Sequence, residues 1–298
     1  MTGQQNITIL DGGLGQEVVK RADEEPTGLW STKVLMESPE IVEAVHNDYF
    51  AAGAEIATAA TYSIHRDRLQ PYGVEDQFVR LHQNACECAC RARDRNGWGL
   101  VAGSAGPLGW SYRPDLVPAA EVAAERYIEI ASIQKDYVDF FICETVVSVE
   151  HAAGALMGVT TADKPVWLSL SVDDSDGTLL RSGEPVSSIS PVVEKFKPEC
   201  VLVNCSQPEA VSTALSEIRN LGTKFGAYAN GFFAIVPEYA NAGSSVDILE
   251  TRQDLGPQRY AEFARKWIDH GASVVGGCCD VGPEHIRELS RRFSLNPK

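Results

Sequence analysis

Cys200-Val201-Leu202-Val203-Asn204-Cys205 is apolar at nearly every position. A strand with one face in water alternates polar and apolar side chains. A run without that alternation is covered on both faces, as in a parallel sheet with helices packed on it. Seven further runs of this kind lie at 7–12, 55–62, 100–105, 138–145, 165–172, 224–229 and 273–278. Amphipathic segments separate them. Residues 39–53 put Ile41, Val45 and Tyr49 on one face and stop at Gly53, and 257–270 does the same with Tyr260, Phe263, Ala264 and Trp267 before Gly271. Residues 121–135 form a third, and Gly282-Pro283 opens a last helix with proline in the tolerated first turn. Eight strands alternating with helices in 298 residues predict an α/β chain, a single (β/α)8 TIM barrel over 1–298. A doubly wound open sheet is the alternative. One connection is long: after strand seven, 231–256 lacks clear periodicity and reads as a lid or binding loop, or as a poorly ordered insertion.

Composition narrows the function. Hydrophobic residues make up 44% and charged residues 22%, enough for a full core. Net charge is −15 and the pI is about 4.8, against a nucleic-acid phosphate footprint and mildly in favour of cationic small ligands, although solubility alone accounts for it. The start of the chain is polar, with no signal-peptide pattern, and no run is apolar enough for a membrane span. Eight cysteines without a secretory signal point to a reducing, cytoplasmic setting in which thiols serve as such or as metal ligands.

Three cysteines stand apart. Cys205 ends strand six, and Cys278-Cys279 end strand eight, behind Gly276-Gly277. In a parallel barrel all three fall on the catalytic rim. Three thiolates with no fourth protein ligand describe a catalytic zinc site with an open position. Adjacent residues of a strand point oppositely, so Cys278 and Cys279 share one ion only if the chain bends there. A pair of small buried residues and a strained vicinal disulfide are the competing readings. Cys86, Cys88 and Cys90 sit in a helical stretch at spacings that suit packing, Cys143 lies inside strand four, and Cys200 begins strand six at the far end.

Val203-Asn204-Cys205 with Gly276-Gly277-Cys278-Cys279 resembles the homocysteine S-methyltransferase family. Asp11-Gly12-Gly13, Leu29-Trp30-Ser31-Thr32-Lys33-Val34-Leu35 and Cys143-Glu144-Thr145 resemble further segments of it, so the likeness spans the chain. The resemblance implies a zinc-containing (β/α)8 barrel with one Zn2+ per chain on Cys205, Cys278 and Cys279. It places Asp11 and Glu144 on the amino group of homocysteine and carries Asn204 and Asn230 over as substrate-binding positions. Two departures stand out. Asp280 occupies a position where many members have glycine, and Tyr228-Ala229-Asn230-Gly231-Phe232 keeps only Tyr and Asn of a Tyr-Pro-Asn-Ser-Gly segment.

The chemistry implied is attack of a thiolate on a methyl carbon. Zinc deprotonates a thiol outright, and an ion with three protein thiolates and a fourth from homocysteine carries an excess negative charge that keeps the sulfur nucleophilic. The methyl donor is then cationic, a small sulfonium: S-methylmethionine first, S-adenosylmethionine second. The chain has no room for folate and cobalamin modules and lacks the long extension of betaine enzymes. Betaine as donor and a selenol as acceptor are alternatives. Aromatic faces bind such cations, and Trp30, Tyr62, Trp110, Tyr112, Phe232 and Phe233 are the candidate donor pocket. The partners expected are thus a small thiol acceptor and a cationic methyl donor, with neither nucleic acid nor membrane; a homo-oligomer is compatible with the sequence. A metal-free sample is expected to form a disulfide among Cys205, Cys278 and Cys279. Two other readings stay open: a phosphate cup made by Gly276-Gly277 and the helix from Pro283, and a zinc- or thiol-binding barrel without activity.

Overall fold

The computed structural model describes residues 6–23, 27–236 and 248–294. Eight parallel strands form the sheet: β1 Thr8–Ile9, β2 Ile56–Thr58, β3 Leu100–Ala105, β4 Phe140–Val146, β5 Val166–Leu170, β6 Cys200–Asn204, β7 Lys224–Tyr228 and β8 Val274–Val275. From β2 to β8 each pairs in parallel with its sequence neighbour, and β8 pairs with β1. A parallel bridge between Leu10 and Ile56 joins β1 to β2 and closes the ring. The chain is a (β/α)8 TIM barrel, and the open doubly wound sheet is excluded. No helix among the described residues is long and apolar enough to cross a membrane.

The absence of alternation in the sequence has its cause here. In β6, Val201 and Val203 pack outward in the helix-facing core, whereas Cys200 and Leu202 face a separate cluster inside the barrel with Leu10, Ile56, Phe140 and Ile142. The same parity in β4 sends Phe141 and Cys143 outward and Phe140 and Ile142 inward, so Glu144 follows them to the inner side of the rim. Cys200 and Cys143 are buried away from the site, as the sequence suggested. The helices run Pro39–Ala51, Ala120–Gln134, Pro257–Asp269 and Pro283–Phe293, within two residues of expectation. Cys86, Cys88 and Cys90 lie on the helix Phe78–Asn96, where Cys86 and Cys88 are fully buried.

Strands one and eight are shorter than the sequence suggested, although their extended course continues. The Gly276 N–H donates to Ala227 O, Gly277 N–H to Asp11 O and Cys278 N–H to Ala229 O. The connection after β7 is partly described, and 237–247 lies outside the described residues. Its ends form a short antiparallel ladder: Phe232 bridges Thr251, and Phe233 N–H donates to Glu250 O.

Candidate active site and metal centre

Cys205 is the first residue past β6, at φ 46°. Positive φ in a residue with a β-carbon is costly, and the surrounding structure must hold it. Arg181 does so. Its guanidinium donates to Cys205 O at 3.1 Å and to Ser171 Oγ at 2.8 Å, pairs with Asp174 at 3.1 Å, and lies 4.7 Å from the centre of the Tyr112 ring. Arg181 and Asp174 are both about nine-tenths buried. Arg181→Met is therefore expected to strand the Asp174 carboxylate, lowering stability by about 3 kcal/mol. It should also weaken metal binding roughly 10- to 100-fold by loosening the Cys205 turn. Denaturant unfolding with chelator competition checks both; unchanged metal affinity would remove the positioning role.

Cys278 and Cys279 are brought to one place by a β-turn. Val281 N–H donates back to Cys278 O at 3.1 Å, and Asp280 takes φ 61°. The bend required by the sequence is thus supplied after the cysteine pair, at Asp280. Gly13 packs against this turn so closely that a β-carbon there would lie 2.7 Å from Cys278 O and 3.2 Å from Cys279 Cα. The Asp11-Gly12-Gly13 motif therefore cradles the turn. The backbone N–H groups of Gly276, Gly277 and Cys278 are spent on the barrel, and Asp280 N–H donates to Gln16 Oε1 at 2.5 Å. The phosphate-cup reading thereby loses the Gly276 and Gly277 donors.

The three Sγ atoms of Cys205, Cys278 and Cys279 lie within 4.8 Å of one another. Cys205 and Cys278 are joined as a disulfide with Cα atoms 5.6 Å apart, the kind of bond anticipated for a metal-free state, and Cys279 is a free thiol. Burial pushes the Cys279 thiol up to about 12, with Glu144 and Asp280 adding to the effect. A lone thiol there stays neutral; a divalent cation supplies the charge that would ionise it. Tetrahedral zinc with bonds of about 2.3 Å separates its sulfurs by about 3.8 Å, so the reduced triad fits the ion with little adjustment.

Two carboxylates share this pocket. Asp11, just beyond β1, is buried and accepts the Thr58 N–H at 2.7 Å and Thr58 Oγ1–H at 2.9 Å. Burial outweighs these bonds and raises its carboxyl to about 7. Glu144 accepts from Ser104 Oγ–H and from Tyr228 O–H, the latter at 3.2 Å; burial raises it too. Each carboxylate keeps capacity for a further donor, as an ammonium would provide. Trp30, Tyr62, Trp110 and Tyr112 line the same pocket with both carboxylates and all three cysteines.

Four expected residues fall elsewhere. Phe232 is buried with Leu249, Trp30 and Cys279 and does not line the pocket that holds the two carboxylates. Phe233, its neighbour on an extended stretch, necessarily points the other way and is exposed over Arg252. Asn204 does not line the pocket. Its amide accepts from Thr145 N–H and Ser169 Oγ–H and donates to Thr145 Oγ1, fixing the left-handed Thr145 that follows Glu144. Asn230, also buried, accepts from Phe232 N–H. Thr58, Ser104, Arg68 and Arg181 were not singled out from the sequence; only the long-range contacts of the fold reveal them, whereas Tyr228 was within reach through its shared position beside Asn230.

Comparison with known proteins agrees with this geometry. The sequence family described as homocysteine S-methyltransferase matches residues 8–293. The homocysteine S-methyltransferase YbgG of Bacillus subtilis is 26% identical over 95% of this chain and 93% of its own length. The homocysteine S-methyltransferase of Escherichia coli is 28% identical over 97% and 96%. The selenocysteine Se-methyltransferase of Brassica oleracea var. italica is 25% identical over 96% and 88%. Among solved structures, the homocysteine methyltransferase MmuM from Escherichia coli superposes with a TM-score of 0.81 in its metallated form and in its oxidised form, at 26% identity and 97% coverage of both chains.

Proposed function

Because the chain belongs to the homocysteine S-methyltransferase family, we propose that this barrel transfers a methyl group from S-methylmethionine to homocysteine with Zn2+ as its metal, giving two molecules of methionine. The observation that carries the reading is the convergence of three cysteine sulfurs, two buried carboxylates and five aromatic side chains in one pocket. Cys205, Cys278 and Cys279 would hold the zinc. When bound, the ion supplies a Lewis acid that ionises the acceptor thiol at neutral pH.

The remaining work falls to the chain's own residues. Asp11 and Glu144 hold the acceptor ammonium and so fix its sulfur above the cysteine triad. Ser104, Thr58 and Tyr228 keep the two carboxylates in position. Tyr62 and its neighbours Trp30, Trp110 and Tyr112 present aromatic faces to the sulfonium. The acceptor sulfur attacks the methyl carbon in line, the S–CH3 bond of the donor breaks, and its electron pair stays on the donor sulfur, which leaves as a neutral sulfide. No proton moves in that step, and the pocket contributes by alignment. A selenol acceptor is the second reading, favoured by the full-length likeness to a selenocysteine Se-methyltransferase.

The test is a methyl-transfer assay on reduced, zinc-loaded protein with homocysteine or selenocysteine as acceptor. S-methylmethionine, S-adenosylmethionine, betaine and dimethylsulfoniopropionate are supplied in parallel. Methionine from S-methylmethionine, at a rate exceeding the other donors by tenfold or more, is expected. One equivalent of zinc with no methylated product from any pair would overturn the reading in favour of a binding role.

A further inference from the structure

Arg68 is the only cationic side chain among the described residues lining the pocket. It sits in the short helix Arg66–Leu69, in the connection after β2. Its guanidinium carbon lies 4.8 Å from the centre of the Trp110 ring and 5.9 Å from that of Tyr62. One terminal nitrogen donates to Pro107 O at 3.1 Å. The Nε–H is buried and makes no hydrogen bond. Of the nearby carboxylates, Glu75 and Glu129 pair with Arg66; Asp67 meets Arg126 and Gly109 N–H through Oδ2, and its buried Oδ1 makes no bond to Arg68. Within the pocket, Asp11 is engaged by Thr58, and Glu144 by Ser104 and Tyr228.

A half-buried guanidinium with an unused donor beside a pocket for a cation is a contradiction if the donor is only a cation. Its charge would repel a bare sulfonium, and its buried N–H would stay unpaired at a cost. Both problems vanish if the ligand brings an anion. A guanidinium stacked on an aromatic face still offers its edge; that of Arg68 carries one bond, to Pro107 O, and its remaining N–H groups can meet the oxygens of a carboxylate. Resting on the sulfonium-donor reading above, we infer that Arg68 receives the carboxylate of the methyl donor and selects sulfonium compounds that carry one. Its neighbours Tyr62 and Trp110 are the aromatic, donor-side wall, whereas Asp11 and Glu144 serve the acceptor's ammonium. Arg68 thus sets specificity by charge pairing while the aromatic faces take the sulfonium, and the two ends of the donor are held at separate points.

The experiment is calorimetric titration of the full, reduced, zinc-loaded chain and its Arg68→Gln and Arg68→Lys variants. The ligands are S-methylmethionine, dimethylsulfoniopropionate, trimethylsulfonium and homocysteine, and methionine formation is recorded on the same samples. Arg68→Gln is expected to weaken the two carboxylate-bearing sulfonium ligands at least about tenfold, the worth of a charge-assisted bond. Arg68→Lys should recover part of that loss, since it keeps the charge without the fork. Trimethylsulfonium and homocysteine should shift less than about twofold by the same reasoning. Equal weakening of all ligands would reduce Arg68 to a prop for Trp110, and selective weakening of homocysteine would assign it to the acceptor; either overturns the inference. So would wild-type protein that binds trimethylsulfonium as tightly as S-methylmethionine. Turnover without the contrast between ligands defeats the role of Arg68 alone. The contrast without turnover defeats the transfer reaction and leaves Arg68 in place.

Discussion

Cys278→Ala is expected to weaken zinc binding about 10²–10³-fold and methyl transfer with it. Cys278 contributes one of three sulfurs gathered within 4.8 Å, and no His, Asp or Glu side chain joins that group among the described residues. Zinc binding to four-ligand sites is worth about 10–16 kcal/mol in all, so roughly 3 kcal/mol rests on each ligand, and losing one costs about 10²–10³ in affinity. Transfer should fall at least as far, because the acceptor thiol then stays protonated at neutral pH, with a pKa of about 8.5. The measurement is zinc stoichiometry and methionine formation on protein reduced beforehand, since Cys205 and Cys278 are joined as a disulfide. Two controls sharpen it. Cys143→Ala and Cys200→Ala remove thiols of the helix-facing core and of the barrel interior, and should cost about 1 kcal/mol of stability with zinc retained. A Cys278→Ala protein that keeps one zinc at wild-type affinity would place the ion elsewhere and remove the basis of the proposed chemistry.

What the sequence disclosed and what it withheld follow one physical division. Strands and helices are local, and their patterns survive in one dimension: the apolar run that makes up all of Cys200–Asn204 but its last residue needed only its own residues to be read as covered on both faces. The convergence of the three cysteines was legible for a related reason, since strand ends in a parallel barrel share one rim whatever the intervening chain does. The bend that lets Cys278 and Cys279 act together was required by the sequence but not located. It depends on Asp280 in a left-handed conformation, which a carboxylate side chain does not announce. Phe232 and Phe233 were misplaced because a short ladder to Thr251, across a long connection, decides which of them faces inward. Arg181 reaches Cys205 from a separate βα connection, and Tyr228 reaches Glu144 from three strands away. Such contacts leave no periodicity, so support for a site is harder to read than the site itself.

The second large effect concerns Asp11 and pH. Burial raises its carboxyl from 3.8 to about 7 against the opposing pull of two Thr58 hydrogen bonds. A raised folded-state value means that the folded, ligand-free protein holds this proton more tightly than the unfolded chain does. The stability it contributes is fully present below the unfolded value near 3.8 and is lost as pH rises toward 7. Three units correspond to about 4 kcal/mol. Asp11→Asn, which cannot ionise, should therefore flatten the stability profile between pH 4 and 7 by an amount of that order. Glu288, lowered to about 2 by its arginine pair, acts with the opposite sign, so the informative quantity is the difference between wild type and variant. The same shift governs acceptor binding. An ammonium is gripped only by the ionised carboxylate, so affinity should fall about tenfold per unit below pH 7 in the wild type. Asp11→Asn should weaken binding about 10- to 100-fold above pH 7 and reduce that dependence to what Glu144 contributes. Methionine is the probe of choice, since it carries the ammonium but no thiol whose own titration would intrude. Equal affinity and an identical pH profile in the variant would show that Glu144, or another group, holds the amino end instead. Loss of binding with the stability profile unchanged would show that Asp11 is already ionised in the empty pocket, its charge accommodated by Thr58 before any substrate arrives.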